Sequence, residues 1–180
     1  FTATTTVVVN PLPNSTITSP SAVCAASTGH VASVPDAGPG ASYNWSVTGQ
    51  GTLVGVNNTR DIAWNAVGQG TATISVTVSN AYGCTSSSSA NVVVNPALVA
   101  TASSNSPACE GSTISLSGGP VGMASYSWTG PNGFASSAQN PTISNATPPM
   151  AGTYILTVTN SSGCTGTVSA TVVVNAKPSA

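Results

Sequence analysis

Charge is nearly missing from this chain. Only Asp36, Arg60, Asp61, Glu110 and Lys177 carry it among 180 residues, and the formal net charge is −1. A soluble domain ordinarily holds about a quarter of its residues as Asp, Glu, Lys or Arg. Two cations cannot neutralise a phosphate backbone, which excludes a nucleic-acid partner. They also leave nothing to grip an anionic membrane surface. The lack of a basic start with an apolar core reads only as an N-terminus that lies elsewhere, and no apolar run approaches the ~18 residues that span a bilayer. Membrane insertion is therefore not expected. Disorder is not the alternative, because 40% of the residues are hydrophobic and disordered chains pair low hydrophobicity with high net charge. The polar surface has to come from Ser, Thr, Asn and Gln.

Groups that do chemistry are equally scarce. His30 is the sole histidine. A Ser–His–carboxylate triad needs its three members within hydrogen-bond reach, and Asp36 beside an abundance of serine supplies the ingredients only by composition. Asp36, Asp61 and Glu110 fall in separate segments, so paired carboxylates for glycoside hydrolysis are not expected. No spaced run of Asp and Asn makes a calcium loop. The four cysteines include no Cys-x-x-Cys, which argues against zinc. The expectation is no enzyme, no metal and no cofactor. Helix is also disfavoured: thirteen prolines and eighteen glycines punctuate the chain, with β-branched residues between them.

What is present is repetition. Val-Val-Val-Asn occurs at residues 7–10, 92–95 and 172–175, and Asn-x-x-Gly-Cys-Thr precedes the last two copies at residues 80–85 and 160–165. Self-similarity at a spacing of 85 and then 80 residues matches one β-sandwich per block. The organisation expected is residues 1–10 as the last strand of a preceding repeat, 11–95 and 96–175 as complete sandwiches, and 176–180 as a linker or the start of another. The chain then reads as an excerpt from a longer array.

Strand periodicity supports this. In residues 71–79, Ile74, Val76 and Val78 alternate with Thr73, Ser75 and Thr77, as in a half-buried antiparallel strand. Tyr154, Leu156 and Val158 repeat the pattern 80 residues on. Each strand turns tightly at Gly-Cys into the strand that ends in the tetrad, giving a final hairpin. Trp45 and Trp128, each two residues after a Tyr, fit the packing centres of two sandwiches, with Tyr154 as a third core residue.

In the second block, Ala151-Gly152-Thr153-Tyr154 and the run Glu110 to Leu116 resemble an immunoglobulin-like domain. That resemblance implies a tyrosine corner at Tyr154. The inter-sheet disulfide of that family would fall near Leu116 and Leu156, so it is absent here. In the first block, Tyr43-Asn44-Trp45-Ser46-Val47, Ile62-Ala63-Trp64 and Gly70 to Val76 resemble a PKD-type domain, a related sandwich. Ile74 occupies the corner position there. Alternating domains of these kinds are similar to the repeats of giant secreted or surface proteins of Bacteroidota, including adhesins and gliding-motility proteins. The resemblance implies an all-β fold of tandem immunoglobulin-like and PKD-like antiparallel sandwiches, head to tail, at an extracellular or cell-surface location.

The cysteines fall one pair per repeat, and with little Lys they suit an oxidising compartment. Cys24–Cys84 and Cys109–Cys164 are the obvious pairs. Yet Cys109 precedes the second strand while Cys164 sits in the final turn, at the other end of the sandwich. A strand of six to eight residues spans about 20–26 Å, and a disulfide tolerates only about 7 Å between Cα atoms. In a head-to-tail array Cys24 could instead reach Cys164, leaving Cys84 and Cys109 to pair with neighbouring repeats. Both arrangements stay open from sequence, with the inter-repeat bond slightly preferred.

Two functions from different classes follow. One is a structural stalk or spacer of an extracellular filament or surface adhesin, its partners being neighbouring repeats. The other is a polysaccharide-binding sandwich, for which Trp64, Tyr82 and Phe134 are the candidate glycan contacts. The blander reading of those three is Trp64 turned into the core and the other two plugging loops.

Overall fold

The computed structural model describes residues 3–178, and its regular structure is strand apart from two short 3-10 turns, Pro131–Gly133 and Pro148–Met150. It divides into two units, Phe1–Pro96 and Ala97–Ala180. Each is an immunoglobulin-like β-sandwich around its own core.

The first unit contains β1 (Ala22–Cys24), β2 (His30–Ser33), β3 (Ser42–Gly49), β4 (Gly51–Val54), β5 (Asp61–Ala66), β6 (Gly70–Ser79) and β7 (Thr85–Asn95). One sheet runs β1-β7-β6-β3 and the other β2-β5-β4. All pairs are antiparallel except β1 on β7. The alternation predicted for β6 appears in full: Ala72, Ile74, Val76 and Val78 are buried, while Thr73, Ser75 and Thr77 lie on the other face. Trp45 enters the core from β3 and Trp64 from β5, one from each sheet. Gly49 makes the turn between β3 and β4 possible. Its φ is +70° and a Cβ there would lie 2.4 Å from the Thr71 carbonyl oxygen, so only glycine fits.

The first half of β7 turns Ser86 and Ser88, not valines, toward the interior. Buried polar groups need partners, and the chain before β1 provides one. Ser15, 5% exposed, lies 2.9 Å from Ser86 Oγ and 2.7 Å from Ser88 Oγ. Residues 3–10 form no strand, and Val7, Val8 and Val9 are 80%, 76% and 87% exposed. In the other two tetrads Val92, Val94, Val172 and Val174 are buried. The first copy has the same sequence without a sheet to pack on among the described residues.

The second unit contains β8 (Thr101–Ser104), β9 (Ala108–Cys109), β10 (Ile114–Gly119), β11 (Ser125–Gly130), β12 (Phe134–Ser136), β13 (Thr142–Ile143), β14 (Gly152–Thr159), β15 (Thr165–Val172) and β16 (Val174–Asn175). The sheets run β12-β11-β14-β15 and β13-β10-β8, with β16 paired in parallel to β9. Trp128, Ile114, Tyr154, Leu156 and Val158 are fully buried, and Leu116 nearly so. Leu116 and Leu156 fill the core where antibody domains carry an inter-sheet disulfide. The units differ at one strand. In the first, β4 pairs with β5; in the second, its counterpart β12 pairs with β11 in the opposite sheet.

Tyr154 forms the tyrosine corner expected from its sequence context, its hydroxyl donating to the Met150 carbonyl at 2.9 Å. Burial pushes the phenol above its ordinary value of 10.0, because the charged form would lose its solvent. The neutral form is thus the one the fold favours. The stability this contributes is complete below the ordinary value and is lost as pH rises through the raised folded one. Replacing Tyr154 with Phe should cost about 1–1.5 kcal/mol at neutral pH, the net worth of one hydrogen bond. Urea midpoints measured at pH 7 and above pH 10 check both parts, since the variant should lack the alkaline loss.

Candidate functional site

Among the described residues His30 contacts Ser27 and Trp64. His30 Nε2 is 2.6 Å from Ser27 Oγ, and that hydroxyl also donates to the Cys24 carbonyl at 2.5 Å. A hydroxyl has one proton to give. With that proton on the carbonyl, Ser27 accepts from the imidazole, the reverse of what a general base requires. The second unit supplies a control: Ser112 Oγ donates to the Cys109 carbonyl at 2.6 Å, where Ser115 stands in place of the histidine. Ser27 and Ser112 are turn-forming residues. Asp36 instead accepts from the Gly38 amide and the Tyr43 hydroxyl. Arg60 and Asp61 form an exposed ion pair at 3.2 Å, and the carboxylate raises the guanidinium's pKa through that hydrogen bond and its charge. Among the described residues no three His, Cys, Asp or Glu side chains gather as metal ligands would.

Of the three candidate sugar contacts, Trp64 and Tyr82 belong to the first unit and Phe134 to the second. Trp64 has no exposed surface and lies 5.0 Å from the His30 ring, so it is a core residue and no platform. Its indole N–H has no hydrogen-bond partner among the described residues. Phe134 packs edge-on to Tyr154, with ring centroids 5.5 Å apart. Tyr82 alone stands out, 71% exposed, at the rim of a cleft of about 480 Å³ lined also by Pro11, Pro13, Asp36 and Asn80. Trp45 and Trp128 are buried, and each donates its indole N–H to a backbone carbonyl, of Thr59 at 2.8 Å and Gln139 at 3.2 Å.

The outer face of the first unit's larger sheet carries rows of small neutral side chains. Asn44, Thr77 and Ser87 form one row, and Ser46, Ser75 and Ser89 the next. Thr77 and Ser87 hydroxyls lie 2.9 Å apart, and Thr73 donates to Asn91 at 3.0 Å. Cross-strand hydrogen bonds of this kind stabilise the sheet and keep it polar without charge.

The reactive groups left are the cysteines, and they occupy two kinds of seat, each present once per unit. The early seat ends the short strand parallel to the tetrad. Cys24 pairs with Asn95 and Cys109 with Asn175. The next residue donates its amide to that Asn carbonyl at 2.8 Å in both units, Ala25 in one and Glu110 in the other. The late seat closes the final hairpin. Cys84 donates its amide to Asn80 Oδ1 at 3.0 Å and Cys164 to Asn160 Oδ1 at 2.9 Å. The amides of Gly83 and Gly163 close the same turns on the Asn80 and Asn160 carbonyls. Asn-x-x-Gly-Cys is therefore a turn code, in which Asn caps the loop and Gly takes positive φ, +78° and +79°.

Within a unit the two seats are far apart. The final strand separates them, and β7 has eleven residues, about 36 Å at ~3.3 Å each. A disulfide needs its Cα atoms within about 7 Å. Accordingly Cys84 and Cys109 carry free thiols, and the pairings Cys24–Cys84 and Cys109–Cys164 are not formed. Cys24 and Cys164 are the disulfide-bonded cysteines. The repeat and the strand reading already placed the two seats at opposite ends of the sandwich; the strand register adds the ladder partner of each early cysteine.

Residues 10–94 match the family model described as a PKD-like domain. Among solved structures, the chain is similar to the fibronectin(III)-like modules of Clostridium thermocellum CbhA, with 12% identity, 89% of this chain and 95% of that one covered, and a TM-score of 0.45. It is also similar to the amphioxus IgVJ-C2 molecule, with 19% identity, 84% and 99% covered, and a TM-score of 0.37. A third is the three N-terminal domains of the bacteriophage RB49 highly immunogenic outer capsid protein, with 18% identity, 90% and 59% covered, and a TM-score of 0.40. No curated protein matches the chain. Among the described residues no helix is long and apolar enough to cross a membrane.

Proposed function

We propose that this chain is a stalk segment of an extracellular filament or surface adhesin, a run of sandwich repeats stiffened by disulfides between successive units. The observation that carries this reading is the state of the cysteines. Cys84 and Cys109 are free while Cys24 and Cys164 are bonded, which supports a bond from the early seat of one repeat to the late seat of the next. Such a bond limits bending at a joint where Asn95-Pro96-Ala97 already limits it, because proline fixes φ. Near-neutral Ser/Thr faces suit a passive spacer, and disulfide-bonded cysteines suit an oxidising exterior.

Non-reducing peptide mapping of the native chain tests the reading. A linked peptide pair containing Cys24 and Cys164 is the expected product. Recovery of Cys24 with Cys84 and Cys109 with Cys164 would overturn it, leaving self-contained domains on flexible joints.

A further inference from the structure

Cys84 and Cys109 sit in seats whose counterparts are both oxidised. Cys109 reproduces the surroundings of bonded Cys24: the parallel pairing to a tetrad asparagine, the amide bond that follows it, and the serine three residues on that caps its carbonyl. Cys84 reproduces those of bonded Cys164 down to the asparagine whose side chain fixes its amide. Each pair shares its backbone seat, and the free thiol of Cys84 or Cys109 lacks the disulfide its counterpart has.

A second observation says what that partner is. Cys84 Sγ lies 3.9 Å from the Asn10 carbonyl oxygen, and Asn80 Nδ2 holds the adjoining Pro11 carbonyl at 2.9 Å. Asn10 ends the first Val-Val-Val-Asn tetrad. In both other tetrads the terminal asparagine has an early cysteine as its parallel ladder partner, Cys24 on Asn95 and Cys109 on Asn175. An early strand that pairs with residues 7–10 in that register therefore brings its cysteine to Cys84. Val7, Val8 and Val9 are exposed and form no strand among the described residues, so residues 7–10 are open to such a partner.

We infer that Cys84 and Cys109 are complementary linkage sites, Cys84 accepting the early cysteine of another repeat module and Cys109 offering one, so that modules join by Cys109–Cys84 disulfides of fixed polarity. The contact is heterologous, with different surfaces on the two partners, and such contacts propagate into open chains unless their rotation closes a ring. This rests on the inter-repeat bond proposed above. The oxidant is a small disulfide. One thiolate attacks a glutathione disulfide sulfur and releases glutathione. The partner thiolate then attacks the protein sulfur of the mixed disulfide and releases the second glutathione. Two thiols and one disulfide yield one protein disulfide and two glutathione thiols.

The test uses the purified chain with oxidised glutathione, read by non-reducing gel and peptide mapping. A ladder of multimers whose new junction is Cys84–Cys109 is expected. Cys84→Ser and Cys109→Ser should each stay monomeric, and a one-to-one mixture of the two should give a dimer and nothing larger. Capped monomers bearing glutathione, a Cys84–Cys109 bond within one chain, or symmetric Cys84–Cys84 and Cys109–Cys109 dimers would overturn the inference. Mapping the untreated chain keeps the two proposals apart. Without a Cys24–Cys164 peptide the stalk reading fails; with that peptide but no ladder only the linkage sites fail.

Discussion

Replacing Trp128 with alanine should unfold the second unit while the first keeps its structure. Trp128 is fully buried, pairs across the sheet with Leu156 and donates its indole N–H to the Gln139 carbonyl. Phe or Trp to Ala in a core costs about 3–5 kcal/mol, the lost transfer energy plus a cavity. The loss of a donor to a part-buried carbonyl adds to it. A small domain has only about 5–15 kcal/mol in total. The buried residues fall into two separate clusters, one per unit, so the damage should stay local. Proteolysis followed by mass mapping would show cuts confined to the second unit; cuts in both would contradict independent cores. Trp64→Phe makes the contrast. Its indole N–H is buried without a partner among the described residues, so removing it sheds an unsatisfied donor, and the change should be milder than Trp128→Phe, which breaks a hydrogen bond.

These two tryptophans also show how far the residues could be read without coordinates. Trp128 and Trp45 were legible because each stands mid-strand, two residues after a tyrosine, on a face with clear alternation. Trp64 was ambiguous, since Ile62-Ala63-Trp64 fits an inward strand or an exposed platform equally well, and only the cross-strand pairing with His30 and Leu53 puts it inside. The hairpin of β6 and β7 was legible at its valine end and not at its serine end. Ser86 and Ser88 face inward because Ser15, more than seventy residues away, supplies their hydrogen bonds, and no local pattern encodes that. The ladder partners of the early cysteines were hidden for a different reason. Strands of two or three residues, β1 and β9, are too short for periodicity to register, and their partners are parallel and distant. The exchange of β4 and β12 between sheets is likewise a choice of edge, which polar edge strands do not announce.

Serine at either bonded cysteine should have the same effect, and serine at both should have no more. A bond from Cys24 to Cys164 closes a loop of about 140 residues, which on the chain-entropy model stabilises the folded chain by about 5 kcal/mol. Cys24→Ser and Cys164→Ser each remove that bond entirely. Their effects in a double-mutant cycle are then redundant, and the interaction energy equals the whole effect of one of them with opposite sign. Pairing inside each repeat predicts the reverse: each substitution would destabilise only its own unit, and the two would add. Thermal unfolding of the two single variants and the double variant, with and without reductant, separates these outcomes. Reductant should lower the midpoint of the wild type to that of the variants and leave the variants unmoved, because Cys84 and Cys109 are already thiols. An additive cycle would remove the bond between repeats, and with it the reason to regard the segment as stiff.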